Sequence, residues 1–289
     1  MKYAYYPGCS LGAAAREYDS SLRAVCQRLG IELAEIEDWN CCGATPATTL
    51  DPLLSLALAA RDLATVERQG LAMMAPCPGC YKNLRKASLS LAKDEELRQR
   101  VNETLGGAKL QRSPEVRHPL DIIVNDVGLD NIPVEKPLQG LKVACYYGCA
   151  ITRPRGGFDN PENPQSMDRL METLGAEAVP FPYKTKCCGG AVFLPREELA
   201  LELTAKILAK AKASGANCVA VGCPLCHLLL DMYQFKVEAR AGMTFNLPIL
   251  YFSQLMGLAM GVDEKELGLE RLAVSPASLL REEWTQATA

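Results

Sequence analysis

Ten cysteines of this chain fall into two sets that repeat each other's spacing. Cys9 is followed after 31 residues by Cys41-Cys42-Gly43, and after a further 34 by Cys77-Pro78-Gly79-Cys80. In the second half Cys149 precedes Cys187-Cys188-Gly189 by 37 residues, and another 34 lead to Cys223-Pro224-Leu225-Cys226. Thiolates are soft ligands suited to iron–sulfur groups and zinc. A CxxC at a helix start puts two thiols roughly one turn apart, where backbone N–H groups and the helix dipole favour the thiolate. An adjacent CC pair sends its sulfurs in diverging directions, which suits two neighbouring irons better than chelation of one. Gly43 and Gly189 are expected to let the loop backbone approach such a group closely and adopt conformations closed to other residues. Five thiolates exceed the four that a tetrahedral zinc takes and the four of a cubane cluster. Zinc held by four of the five in one motif stays open as an alternative.

The remaining cysteines and their neighbours are less telling. Cys26 and Cys218 lie in helical and strand patterns and read as core. Cys145, four residues before Cys149, is either packing or a neighbour of the metal group. His227 follows Cys226 and has either a substrate-facing or a capping role; His118, before Pro119, reads as structural. Lys184 and Lys186 flank the second CC pair, as solvated charges or as attractors of an anionic substrate. Tyr6, Tyr146 and Tyr147 read as packing.

The elements that position these residues repeat as well, which implies two related units. β-prone runs, Lys2 to Tyr6 and Leu141 to Tyr147, lead to the first cysteine of each set. Helical patterns follow over Ala14 to Leu29 and Met167 to Leu174, each ending in Leu-Gly. After each CCG loop a helical stretch leads into a strand (Leu71 to Pro76; Cys218 to Gly222), and the CxxC opens a further helix. Strands alternating with helices predict an α/β fold of two units with short parallel sheets in a pseudo-twofold arrangement. The first unit is placed at 1–105, a Pro-rich connection with one helix near His118 to Val127 at 106–140, and the second unit with its C-terminal extension at 141–289. The polar stretch from Arg153 to Pro161 reads as a loop inserted in the second unit. No motif marks the tail after Gly261.

At 289 residues, 48% hydrophobic and 22% charged, the composition is that of a globular chain with a real core. A net charge of −3 gives no basic excess and argues against a nucleic-acid partner. No N-terminal stretch reads as a signal peptide, and Leu247 to Met260 is too short to span a bilayer. A cytoplasmic location follows. Thirteen cysteines in a reducing compartment point to metal binding or redox chemistry rather than a disulfide scaffold.

With its two CCG motifs, Tyr6-Pro7-Gly8-Cys9-Ser10, Ala144-Cys145-Tyr146-Tyr147-Gly148-Cys149 and Cys223-Pro224-Leu225-Cys226-His227, the chain resembles the heterodisulfide reductase B-subunit family. The likeness extends to Ser253-Gln254-Leu255 and Asp263 to Gly268, and so covers nearly the whole chain. CCG motifs alone are shared with subunits of anaerobic glycerol-phosphate dehydrogenase, glycolate oxidase, lactate-utilisation proteins and some succinate dehydrogenases. Many of those add ferredoxin-type CxxCxxCxxxCP runs, which are absent here. The resemblance implies two non-cubane 4Fe–4S clusters, one held by Cys9, Cys41, Cys42, Cys77 and Cys80, the other by Cys149, Cys187, Cys188, Cys223 and Cys226. It implies an oxidoreductase that reduces a disulfide between the clusters to two thiols, in a methanogen the mixed disulfide of coenzymes M and B. It also implies two partners from the heterodisulfide reductase complex, its ferredoxin-like C-subunit and its flavin-containing A-subunit. Two other classes stand beside it: an iron–sulfur electron-transfer component of a quinone-linked dehydrogenase without a substrate site, and a thioredoxin-type dithiol at Cys77-Pro78-Gly79-Cys80. An open cleft between the two cysteine sets discriminates the enzyme from the relay.

Overall fold

The structure, a computed structural model, describes residues 1–44, 46–107 and 109–280. Residues 281–289, the end of the C-terminal extension, lie outside the described residues.

In the first half β1 (Lys2–Tyr5) leads through α1 (Gly8–Gly12) and α2 (Arg16–Arg28) to β2 (Glu32–Glu35). Then come α3 (Pro46–Leu50), α4 (Pro52–Gln69), β3 (Met73–Met74), α5 (Pro78–Lys93), α6 (Glu95–Thr104), β4 (Val116–Arg117) and α7 (Pro119–Ile122). The second half runs β5 (Lys142–Tyr146), α8 (Ser166–Thr173), β6 (Glu177–Ala178), α9 (Glu197–Ala213) and β7 (Cys218–Val221). It ends with α10 (Pro224–His227), α11 (Gln234–Ala241), β8 (Ile249–Tyr251) and α12 (Phe252–Ala259). Two four-stranded sheets result, ordered β2-β1-β3-β4 and β6-β5-β7-β8. Every pairing is parallel.

Beyond the exposed Lys2 and Lys142 that open β1 and β5, the central strands are buried, and β7 is an unbroken Cys-Val-Ala-Val run, as a parallel strand covered on both faces requires. The strand expected over Leu71 to Pro76 is confined to β3, and Pro76, which lacks an amide, marks where the chain leaves the ladder. The segment 106–140 does more than connect. It supplies β4, with Val116 opposite Met73. His118 then caps α7, its Nδ1 accepting from the Leu120 amide while Nε2–H donates to the Pro76 carbonyl. After Ile122 the helix widens into a π turn over Ile123–Gly128.

The units embrace each other by exchanging helices. The helix that follows the last strand of each unit lies on the first long helix of the other, α12 on α2 and α7 on α8. Along α2, Tyr18, Leu22 and Val25 form one buried face. Tyr18 stacks flat on Tyr251 with centroids 4.2 Å apart, and the Ser21 and Ser253 hydroxyls meet at 2.7 Å. Among the described residues no helix is long and apolar enough to cross a membrane.

Removing the Tyr18 ring empties the junction between the units. Tyr18→Ala is expected to cost about 3–5 kcal/mol of unfolding free energy, measured by denaturant titration; a loss below about 1 kcal/mol would show that the stack does not join them.

Candidate metal centres

In a parallel sheet the loops at the strand carboxyl ends gather along one edge, and the crevice between oppositely routed neighbours is the natural binding place. Each cysteine set uses that edge. Cys9 follows β1, the Cys41-Cys42 pair follows β2, and Cys77 follows β3. In the second unit Cys149, Cys187-Cys188 and Cys223 follow β5, β6 and β7 in the same way. Each CxxC opens a helix: Cys77 and Cys223 sit at the N-cap of α5 and α10, with Pro78 and Pro224 in the first turn. Proline is suited there because its missing N–H is one the helix could not use. Cys80 and Cys226 then point back from the first turn.

Within each set three sulfurs come together, those of the CxxC and of the second cysteine of the CC pair. Cys226 Sγ lies 3.4 Å from Cys188 Sγ, and hydrogen bonds link Cys226 to Cys223 as well. The equivalent Cys80 is hydrogen-bonded to Cys42 and Cys77. The hydrogen bond from Cys80, with the amides of Cys80 and Gly79, brings the Cys77 thiol down to about 7 against the effect of burial. Cys188 is lowered by the same route, its strongest partner being Cys226, and the Gly190 amide stands 3.3 Å from its sulfur. Cys9 and Cys149 lie within electrostatic reach of the first cysteine of their CC pairs. Burial and the nearness of Cys41 raise Cys9, and burial with Cys187 raises Cys149 to about 11. Such donor sets, rich in sulfur and lined with backbone N–H groups, fit an anionic metal–sulfur group. Among the described residues no three donors form a site closed around a single ion.

Two glycine pairs define the approach of the backbone. Gly8 and Gly148 have φ of 65° and 68°. A Cβ on either would stand 3.2 Å from the sulfur of Cys80 or Cys226, so these are the glycines that bring backbone against sulfur. Gly43 and Gly189 have φ of 75° and 88°, the conformation closed to other residues that the sequence predicts for them, and the Gly189 amide stands 3.4 Å from Cys187 Sγ. A Cβ on Gly43 would press on the Ser55 backbone of α4, and one on Gly189 would lie 2.7 Å from Ala200 Cα of α9. They let the CC loop sit on the following helix. Tyr6 and Tyr146, read as packing, also carry a polar duty. Their hydroxyls donate to the carbonyls of Asn40 and Lys186, one residue before each CC pair, and tie that loop to the sheet edge.

Lys184 is no free attractor of substrate. Buried, it donates to Asp168 Oδ1 at 2.8 Å and to the Pro164 carbonyl, while the Tyr147 hydroxyl donates to the other Asp168 oxygen. Lys186 is exposed. Cys145, Cys26 and Cys218 are buried thiols raised by burial, with no hydrogen bond to either set. His227 is buried and neutral; burial lowers it to about 4 and Nε2–H donates to the Ile249 carbonyl. Its ring stacks on Tyr251 at 4.3 Å, and Tyr251 on Tyr18 of the first unit. The first unit repeats the ladder: Tyr81, after Cys80, meets His118, which stacks on Phe158 of the second unit.

A cavity of about 210 Å³ lies where the two units meet, lined by neighbours of the cysteines and by none of the ten cysteines themselves. Its walls include Ser10, next to Cys9, and Pro224 and Leu225, inside the second CxxC. Glu17, His227, Asp231 and Arg271 also line it. Sequence reasoning missed Glu17 and Arg271, because no local motif accompanies either.

Comparison with known proteins agrees with this duplicated architecture. The Cysteine-rich domain family (CCG) matches residues 3–85 and again 143–231. The 8-methylmenaquinol:fumarate reductase membrane anchor subunit of Wolinella succinogenes is 38% identical over 96% of this chain and 99% of that protein. The B-subunit of a ferredoxin/F420H2-dependent CoB-CoM heterodisulfide reductase from Methanosarcina acetivorans is 31% identical over 96% of each chain. A heterodisulfide reductase B-subunit-like protein of Archaeoglobus profundus is also 31% identical, over 93% of this chain and 94% of its own. Among solved structures, a hypothetical protein from Helicobacter pylori superposes with a TM-score of 0.79 over 95% of this chain, at 15% identity, and so shares the fold. This chain spans 52% of that protein.

The Lys184–Asp168 pair gives a direct test of its internal role. Lys184→Ala is expected to lower stability by about 3–5 kcal/mol, since it strands a buried carboxylate. An unchanged unfolding midpoint would return Lys184 to the solvent-facing role.

Proposed function

The chain belongs to the family of two-unit CCG cysteine-rich proteins that includes the heterodisulfide reductase B-subunits, and from that premise we propose that it is the disulfide-reducing component of a larger redox complex. The observation that carries this reading is the cavity walled by residues beside Cys9 on one side and by the second CxxC turn on the other. Cys9, Cys41, Cys42, Cys77 and Cys80 would hold one iron–sulfur group, and Cys149, Cys187, Cys188, Cys223 and Cys226 the other, each a non-cubane 4Fe–4S cluster. Bound there, the two groups supply one electron each. The chain's own residues do the rest. Gly8 and Gly148 keep backbone close to the sulfurs, and Tyr6 and Tyr146 hold the CC loops in place. Apolar Pro224 and Leu225 form one wall against which a small disulfide is held. Electrons would come from a ferredoxin-type partner, itself joined to a flavin-containing one.

A second reading is favoured by the similarity to the Wolinella succinogenes protein, named as part of a menaquinol:fumarate reductase. On that reading the same two groups relay electrons from a quinol to a dehydrogenase partner, and the cavity takes no disulfide.

Anaerobic purification followed by iron and sulfide analysis and EPR-monitored titration with candidate disulfides separates the readings. The expected material is brown, contains inorganic sulfide, and develops a new paramagnetic signal with a disulfide in the presence of one product thiol. Cys188→Ser should lose the second group and keep the first. Zinc without sulfide would remove both readings; a clustered protein indifferent to every disulfide but reduced by menaquinol would favour the relay.

A further inference from the structure

The loop of the second unit from Arg153 to Pro161 is fastened to the first unit by α5. Arg85 of that helix donates from Nε to the Arg155 carbonyl at 3.3 Å, and from its other guanidinium nitrogens to Gly156 at 2.6 Å and Val116 at 3.0 Å. Phe158 of the same loop stacks on His118 of the first unit. Between helix and loop this leaves a groove of about 510 Å³. Five of its eight lining residues are cations, Lys82, Arg85, Lys86, Lys93 and Arg155, and none is acidic. The chain as a whole is acidic, with a net charge of −3, so this concentration of positive charge is local.

The charge is also uncompensated. Lys82, Lys86, Lys93 and Arg155 are exposed, and among the described residues no carboxylate lies within salt-bridge distance of any of them. Arg85 gives its N–H groups to carbonyls, which satisfies its donors and leaves its charge standing. Lys82 and Lys86 are four residues apart on one helix, a like-charged pair that costs helix stability. Lys82, Lys86, Leu89 and Lys93 follow the i, i+4, i+7, i+11 spacing of one helix face. The row spans three turns, roughly 16 Å. Cations strung out over that length do not converge on one phosphate; they match a row of carboxylates. Leu89, 36% exposed, stands within the row and offers an apolar contact. No aromatic side chain lines the groove, so it has no stacking surface for single-stranded nucleic acid.

We propose that this groove seats an acidic segment of a partner protein, its carboxylates along the lysine row of α5 and one apolar side chain on Leu89. Because α5 opens at Cys77 and Cys80, a partner seated there lies on the helix that leads to the first cysteine set and touches both units through Arg155. The inference stands on the groove and not on either reading of the reaction, both of which need a partner.

The full chain is titrated into a short fluorescein-labelled peptide of Glu and Asp residues around one Leu, with anisotropy as the readout. Binding should be present at about 0.05 M salt and lost at about 0.5 M. Lys82→Glu combined with Lys86→Glu should weaken it by at least about 10-fold. Lys206→Glu combined with Lys210→Glu, which shifts the net charge equally on the exposed face of α9, should change it by less than about 2-fold. All four positions are exposed, so circular dichroism should show both variants folded. Equal weakening in the two variants would reduce the effect to net charge and overturn the proposal. Tripolyphosphate that displaces the peptide at far lower concentration than unlabelled peptide does would make the groove a small-anion site instead. Sedimentation with phosphatidylglycerol vesicles that depends on Lys82 and Lys86, without peptide binding, would make it a lipid contact and equally overturn it.

Discussion

Neighbouring parallel strands must end along the same edge of a sheet, and the placement of every cysteine in either set follows from that geometry. β1 and β3 are adjacent, so the loops carrying Cys9 and Cys77 leave side by side, while β2, on the other flank of β1, delivers the CC pair. The register that fixes this is firm, because β5 and β7 bury both faces and a slip of one residue would turn Tyr146 and its hydroxyl away from the Lys186 carbonyl. Tyr6 and Tyr146 thus convert sheet register into loop position. Gly8 and Gly148 convert it into sulfur position, since a side chain at either would displace Cys80 or Cys226.

Duplication alone would give two independent sites. The exchange of helices is what makes them share a space. Because α12 lies on α2, the N-terminal turn of α2 is presented to the second CxxC, and Ser10, Glu17, Leu225 and His227 come to line one cavity. That cavity belongs to neither unit. Tyr251, one of its walls, is stacked on Tyr18 of the first unit, so the junction between the units also positions the cavity wall.

Much of this is legible in local sequence. Pro78 and Pro224 announce helix starts because proline suits the first turn wherever it occurs, and the repeated CC and CxxC spacings announce two like units without any knowledge of packing. What the sequence hides is long-range. Lys184 and Asp168 are 16 residues apart and meet only because α8 folds back over the end of β5. Gly43 and Gly189 sit beside cysteines in the chain, yet the surface that demands glycine there is the following helix. Glu17 looks like any acid in a helix first turn until Gly268, from the far end of the chain, closes over it.

The two cysteine sets are alike, but their surroundings are not, and the difference begins at the helix after each CxxC. α5 runs on as a regular helix to Lys93, whereas α10 gives way after one turn to a π turn over Leu228–Met232. The wider turn carries Asp231 to the amides of Ala273 and Val274, and so brings the tail, with Arg271 and Gly268, over one side of the cavity only. Ser10 lends a hydroxyl to the sulfurs of Cys9 and Cys77, while the matching position in the second unit is Ala150 and offers none. A hydrogen bond to a sulfur favours its charged form and eases the acceptance of an electron nearby. The second unit, through its π turn and the tail it anchors, closes one side of the cavity with Arg271.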